Sequence, residues 1–255
     1  MFVDSHCHID FPELVAQPSL FENMREAKVT HALCVSVNLA DWPRVHGLAT
    51  SHDNLFASVG VHPDHAPDTD GVTQAELLTR AAMPRVVAIG ETGLDYYRLT
   101  GDLSWQRERF RIHIGAAKVC AKPLIIHTRA AAADTIAIMA DEDAGSVGGV
   151  MHCFTETWDV AKAALDLGFY ISFSGIITFK NTGDLREVVR QVPLDRLLIE
   201  TDSPYLAPMP HRGKMNQPAY VKHVAECVST IKNMPLDAIA HATSKNFFTL
   251  FRDAN

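Results

Sequence analysis

The sequence predicts an α/β fold in which eight parallel strands alternate with helices and close into a (β/α)8, or TIM, barrel. Three observations carry that expectation. Short apolar segments rich in β-branched residues recur along the 255 residues, with amphipathic stretches between them. Five of those segments end in His, Glu or Asp, and a parallel barrel gathers the C-terminal ends of its strands on one face. The first strand is followed by none of the glycine-rich turn that a doubly wound open sheet favours.

The first expected strand covers residues 2–6 and delivers His6 and His8, which lie two apart and so share a strand face. Segments 32–37 and 55–61 are the second and third, the third running into His62 and Pro63. The fourth, 86–90, leads into Glu91. A helix is expected over 105–121, where Phe110, Ile114, Ala117 and Cys120 recur at helical spacing. Strand five, 123–127, ends on His127, and strand six, 149–153, carries His152 and Cys153. A second helix is expected over 157–167, closed by Gly168 as a C-cap. Segments 170–174 and 197–201 complete the set, the last leading into Asp202. Residues 203–218 hold Pro204, Pro208, Pro210 and Pro218 and must be loop. Long loops in compact domains tend to be functional, and this one falls on the face where the strand ends meet. No linker or low-complexity tract divides the chain, so one domain over 1–255 is expected.

Composition narrows the setting. The chain is 47% hydrophobic, yet no run approaches the ~20 apolar residues of a membrane span, and the start lacks a basic leader with an apolar core. A cytoplasmic protein with no membrane association is the expectation. Five cysteines, Cys7, Cys34, Cys120, Cys153 and Cys227, form no CxxC pair and are odd in number, which argues for reduced thiols. Strand alternation is expected to turn Cys7 away from His6 and His8, and Cys153 away from His152. A formal charge of −7 speaks against a broad nucleic-acid footprint. Two divalent cations among the acidic ligands would reverse that locally, so a polynucleotide should be held by an end or a few phosphates.

The strand ends themselves read as a metal centre. Burying an imidazole or carboxylate without a partner costs roughly 2 to 7 kcal/mol, and a divalent cation compensates several such groups at once. His6, His8, Glu91, His127, His152 and Asp202 all fall on the C-terminal face. Mixed imidazole and carboxylate donors suit Zn or Mn, with a carboxylate-rich neighbour free to take Mg. Six ligands exceed what one tetrahedral ion needs, so two ions bridged by Glu91 are expected. His6 and His8 are expected to join Glu91 and Asp202 at one, and His127 and His152 to join Glu91 at the other.

The motifs HCH at 6–8, GVHP at 60–63, GETGLDYY at 90–97, IHTR at 126–129, HCFTE at 152–156, and ETDSPYLAP with HRGKMNQP across 200–218 resemble those of the TatD family of metal-dependent hydrolases, close to its YcfH-like branch. The likeness runs from Met1 to about Phe251. It implies an amidohydrolase-like TIM barrel, the six metal ligands named above, and magnesium-dependent deoxyribonuclease activity for at least some members. Met215 within HRGKMNQP departs from the charged residue many relatives carry there.

The flanking residues complete the expected site. Asp202 can ligate and also serve as general base, and Glu91 acts with it. Its competing reading is a helix N-cap. Asp95 is expected to orient a metal-bound histidine, and Glu200 to sit behind the ligands in the barrel interior. His62, Arg98, Arg129 and Arg212 are candidate phosphate contacts, while Phe154 and Tyr205 are candidates for stacking an unpaired base. The first functional reading is a phosphodiesterase acting on DNA ends or a small phosphoester, with two divalent ions (Mg, Mn or Zn) and no obligatory protein partner. An ester or amide hydrolase, such as a D-aminoacyl-tRNA deacylase, is the alternative, and a non-catalytic metal-binding scaffold comes third.

Overall fold

A computed structural model describes residues 1–65 and 71–254, and among them eight strands run parallel in one sheet ordered β1 to β8. The strands are β1 (Phe2–Cys7), β2 (Val29–Cys34), β3 (Leu55–Val59), β4 (Val86–Asp95), β5 (Leu124–Arg129), β6 (Gly149–Met151), β7 (Tyr170–Phe173) and β8 (Leu197–Ile199). Each expected segment overlaps one of them, β2 beginning at Val29 and ending at Cys34 where 32–37 was expected. β4 continues to Asp95 because it stays paired with β5 as far as Asp95 opposite Arg129. β6 and β8 stop short of the expected ends, at Met151 and Ile199.

Helices α1 (Pro12–Val15) and α2 (Leu20–Glu26) follow β1, and α3 (Trp42–Ser51), α4 (Gln74–Ala81), α5 (Ser104–Cys120), α6 (Ala132–Asp141), α7 (Trp158–Asp166) and α8 (Leu185–Gln191) follow β2 to β7 in turn. After β8 come the proline-rich stretch, α9 (Val221–Lys232) and α10 (Leu236–Leu250). The helix expected over 105–121 is α5, which buries Phe110, Ile114 and Ala117. The one expected over 157–167 is α7, and Gly168 beyond it has a φ of +85°.

The strands are apolar on both faces because both are covered, the usual condition of parallel strands. Neighbouring residues fall into two separate apolar clusters. Phe2, Ala32, Leu55, Val86, Leu124, Met151 and Leu197 pack in the large cluster with the helices. Val3, Leu33, Phe56, Val87, Ile125, Val150 and Leu198 pack together inside the barrel with Phe247 and Phe251, which reach in from the end of α10 and just beyond it. That period of two defines an inner and an outer layer.

The seam between β8 and β1 closes beyond the end of the short β8. Asp202 N–H donates to His6 O at 2.9 Å and His8 N–H to Ser203 O at 2.8 Å. The buried Asp4 adds a side-chain staple, accepting from Thr201 N–H at 2.9 Å and pairing with the Thr201 hydroxyl at 2.5 Å. These bonds bring the first and last strands of the chain together at one end of the barrel, the end that carries His6, His8 and Asp202.

Candidate metal centre

Two departures from regular strand geometry aim the charged side chains inward. In β1 the pairing with β2 shifts register between Asp4 and Cys7. Val3 lies in the inner cluster and Cys7 in the outer one, so the shift reverses the alternation and lets His6 and His8 turn to the interior. In β4 the register shifts between Ile89 and Thr92, on either side of Glu91. Such irregularities commonly re-aim side chains beside active sites. Glycine permits the second one. Gly90 and Gly93 have φ values of +142° and +131°, and a Cβ on Gly93 would stand 2.0 Å from His127 O. Only a residue without a side chain lets β4 press so closely on β5.

Glu91, 3% exposed, is the centre of the arrangement. Its Oε2 lies 3.4 Å from His6 Nε2 and 3.9 Å from His8 Nε2. Its Oε1 lies 2.8 Å from His152 Nε2, 3.2 Å from His127 Nδ1 and 3.4 Å from His62 Nε2. Asp202 Oδ1 approaches His8 Nε2 at 3.4 Å and His6 Nε2 at 3.6 Å. The side chains gather in three sets able to hold a cation: His6 with His8 and Glu91; His6 with His152 and Asp202; and His62 with Glu91 and His127. His152 stands beside His127, ring centroids 5.6 Å apart with a nitrogen of each on Glu91 Oε1, and it also stacks its ring on His6 at 3.9 Å. His62, read from the sequence as a phosphate contact, stands in a cation-holding set.

The outer hydrogen bonds fix which ring nitrogens face inward without a proton. His8 Nδ1 faces Val35 O at 2.9 Å, His127 Nε2 faces Asp95 Oδ2 at 3.2 Å, His152 Nδ1 faces Glu200 Oε1 at 3.3 Å, and His62 Nδ1 faces Asp64 Oδ1 at 2.5 Å. Carbonyl and carboxylate oxygens only accept, so at His8, His127 and His152 the outer nitrogen carries a hydrogen and the ring, when neutral, turns a bare lone pair inward, while His62 Nδ1 also accepts from the Asp64 backbone N–H at 3.2 Å. His152 Nε2, although 2.8 Å from Glu91 Oε1, makes no aligned hydrogen bond, and His6 Nδ1 has no partner.

Lone pairs facing carboxylate oxygens repel unless a cation lies between them. Protons can fill that role as well. Burial alone would push His8 down, but Asp202 raises it to about 9. Burial likewise opposes charge on His152, and Glu91 and Glu200 hold it well above its ordinary value. Glu91 is buried, which disfavours its charge, yet His152, His62 and His127 hold it well below the usual carboxylate range. A divalent cation fits the same place. Ligands bonded at about 2.1 Å sit about 3.0 to 3.4 Å from one another in tetrahedral or octahedral sites, and most of the separations above fall near that range.

Asp202 has a φ of +55° and no helix begins there, so the N-cap reading does not hold. Asp95 is fully buried and does two things at once: Oδ2 faces His127, and Oδ1 accepts from the backbone N–H of Tyr97 and Arg98 at 2.9 and 2.8 Å. Glu200 receives Cys153 N–H at 2.7 Å as well as His152.

Above the cluster opens a cavity of about 550 Å³, lined by His62, Arg98, Arg129 and Tyr205 among others. Arg98 is tied to Asp64 at 2.5 Å. Arg129 lies 3.9 Å over the ring of Tyr97, and Arg212 stacks on Phe179 at 3.6 Å, outside the cavity lining. Two expectations need correction. Phe154 is 2% exposed and packs edge-on against Phe173, so its ring offers no free face for a base. Cys153 lines the same cavity as His152, because β6 has ended at Met151 and strand alternation no longer governs its direction. The exposed Tyr97 and the half-buried Phe11, whose ring stacks on His8 at 5.2 Å, were not singled out from the sequence. An aromatic beside a ligand looks the same there whether it packs or waits for a ligand.

Residues 3–252 match the family model described as TatD related DNase. The uncharacterized metal-dependent hydrolase YcfH of Escherichia coli K12 is 46% identical over 256 residues, covering 98% of this chain and 95% of that protein. The 3'-5' ssDNA/RNA exonuclease TatD of Erwinia billingiae is 32% identical over 234 residues, 89% of this chain and 90% of that one. Among solved structures, the TatD homolog YJJV of Escherichia coli superposes with a TM-score of 0.88 at 30% identity, covering 98% of both chains.

Proposed function

The chain belongs to the family of TatD related DNases and is a metal-dependent hydrolase, and from that premise we propose that it cleaves phosphodiester bonds at DNA ends with two divalent ions, which Glu91 and the residues around it would hold. The observation that carries this reading is the convergence of five imidazole nitrogens, from His6, His8, His62, His127 and His152, on the two oxygens of one buried glutamate, with Asp202 Oδ1 beside those of His6 and His8. His6, His8, His127, His152, Glu91 and Asp202 would hold the ions, with His62 at the edge of the set that includes His127. When bound, such ions lower the pKa of water and neutralise charge that develops on phosphoryl oxygens.

The chain's own groups supply the rest. Asp202 is 17% exposed against 3% for Glu91, so it is the carboxylate of the cluster most open to the cavity. Burial disfavours its charge, but His8 and then His6 hold it below the usual carboxylate range. It is ionised at neutral pH and can take a proton from attacking water and pass it to the leaving oxygen. Asp95 and Glu200 hold the His127 and His152 rings in the orientation that presents their bare nitrogens. Arg129 supplies a positive charge at the rim, where a phosphate would lie. The net charge of −7 favours a substrate gripped over a few phosphates rather than along a duplex. The exonuclease among the relatives supports DNA as the polymer.

The test is to incubate the purified protein, its metal content quantified, with end-labelled single-stranded DNA, an aminoacyl-tRNA and bis(p-nitrophenyl) phosphate. Shortening of the DNA that depends on Mg or Mn and is lost in Glu91→Gln is expected. Turnover of the aminoacyl ester with intact DNA would replace this reading by that of a deacylase.

A further inference from the structure

The turns that follow β3 and β4 meet at the rim of the cavity, and between them Arg98 links two carboxylates. Its guanidinium reaches Asp64 Oδ2 at 2.5 Å, and its Nε lies 3.7 Å from Asp95 Oδ2. Asp64 turns its other oxygen to His62 Nδ1 at 2.5 Å, and Asp95 faces His127 Nε2 at 3.2 Å. The inner nitrogens of those two rings both point to Glu91 Oε1, at 3.4 and 3.2 Å. Carboxylates and nitrogen bases therefore alternate around a closed circuit that runs from Glu91 through His62, Asp64, Arg98, Asp95 and His127 and back to Glu91. His62, Glu91 and His127 are the members able to hold a cation. Asp64, Arg98 and Asp95 close the circuit behind them.

The backbone around this circuit is held without Arg98. A Cβ on Gly60 would stand 2.5 Å from the Gly90 carbonyl carbon, so β3 and β4 press together just before they deliver His62 and Glu91. From α5, Arg109 donates to His62 O at 3.3 Å and to His65 O at 2.7 Å. What the backbone leaves free is rotation of the His62 and Asp64 side chains, and Arg98 is the group that restrains it. An isolated exposed ion pair contributes little, but this guanidinium stands between two acids, one of them fully buried. The same arrangement leaves it little charge to offer a substrate. A phosphate arriving at Arg98 would meet Asp64 and Asp95 at the same point.

We propose that Asp64 and Arg98 are positioning residues, and that Arg98 braces the His62 and His127 rings as a pair instead of serving as the phosphate contact expected from the sequence. The role rests on the metal reading of the cluster and is independent of which bond is cut. A ligand ring that rotates freely must be ordered when an ion binds, and that ordering weakens the complex; a ring held beforehand avoids the loss. Because both rings are tied to one guanidinium, opening the circuit at Asp64 or at Arg98 removes the same restraint. The set of His6, His152 and Asp202 lies outside the circuit, so the brace acts on one part of the cluster and spares the other.

Arg98→Gln and Asp64→Asn each open the circuit without removing a group that faces the ion. Titration of metal-free protein with Mn, in competition with a chelator, should show one bound ion held about tenfold more weakly in each variant. The double variant should also lose about tenfold, since both changes break one link; a hundredfold loss would show two unrelated contacts and overturn the brace. In the metal-free protein, the ring-nitrogen NMR signals of His62 should move in both variants and those of His127 in Arg98→Gln, while those of His113 stay in place. Ring signals and Mn affinity equal to wild type in both single variants would overturn the brace. So would a raised KM for end-labelled DNA with the ring signals unmoved, which would return Arg98 to the phosphate. A wild-type protein that takes up no divalent ion would remove the nuclease reading, and the ring signals would still decide the brace.

Discussion

At the scale of single residues, the side chains behind the ligands are as informative as the ligands. Glu200 is fully buried, and its Oε1 is shared between His152 Nδ1 and the Cys153 backbone. Glu200→Gln keeps the shape but can turn an amide N–H toward the ring, which favours the wrong tautomer of His152. Metal affinity measured by competition with a chelator should fall about 10- to 100-fold, with the circular dichroism spectrum unchanged; unaltered affinity would show that Glu200 does not orient the ring. His113 is the contrasting case, a histidine used for structure. Its Nδ1 donates to Arg109 O at 2.8 Å and its Nε2 accepts Val61 N–H at 3.1 Å, so it is satisfied as the neutral ring. Burial pushes it from 6.5 to about 4. The unfolded chain therefore binds a proton that the folded one refuses. The resulting stability is full above about 6.5, is lost as the pH falls toward about 4, and amounts to about 3 kcal/mol. Denaturant titrations from pH 7 to 4 should show that slope reduced in His113→Gln, whose side-chain oxygen can still accept from Val61.

At the scale of elements, β4 does more than complete the barrel. Ten residues long and buried throughout, it carries Glu91 between two glycines and ends on Asp95, which holds both His127 and the Tyr97 backbone. The sequence pattern located this strand by its apolar start, but not its continuation, because Glu91, Thr92 and Asp95 read as the polar turn after a strand. Pairing with β5 is what keeps them extended. Gly93→Ala should destabilise the protein by roughly 2 to 3 kcal/mol through the contact with the His127 carbonyl, and should lower metal content by moving His127. A thermal midpoint and a metal content equal to wild type would show that β4 can shift aside at no cost. The same reasoning explains Cys153, which strand alternation was expected to turn away from His152: β6 ends before reaching it.

At the scale of the whole molecule, the barrel joins positions 6 and 202 of the chain in one cluster, so cation binding and folding are linked. A metal that binds only the folded form at a thousand times its Kd should add about 4 kcal/mol, seen as a rise in thermal midpoint that chelator reverses. Asp202 raises His8 to about 9, so its proton must leave as a cation binds. Apparent metal affinity should therefore increase with pH from 6 toward 9, and titration in two buffers of different ionisation heat should reveal the released protons. Affinity that is flat across that range would mean that the histidines are already deprotonated. Among the described residues no helix is long and apolar enough to cross a membrane.

What the sequence determined by itself was the repeating strand and helix pattern, and with it which polar residues stand at strand ends. Apolar periodicity is local, and a histidine or carboxylate closing a buried run is visible without knowing where the run goes. The tertiary structure alone decided which way those residues point and whom they meet. Register shifts in β1 and β4, the stacking of His152 on His6, and the approach of His62 to Glu91 depend on how neighbouring strands pair. A shift of one residue in that pairing turns a side chain from one face to the other, and nothing in the order of amino acids along a single strand records it.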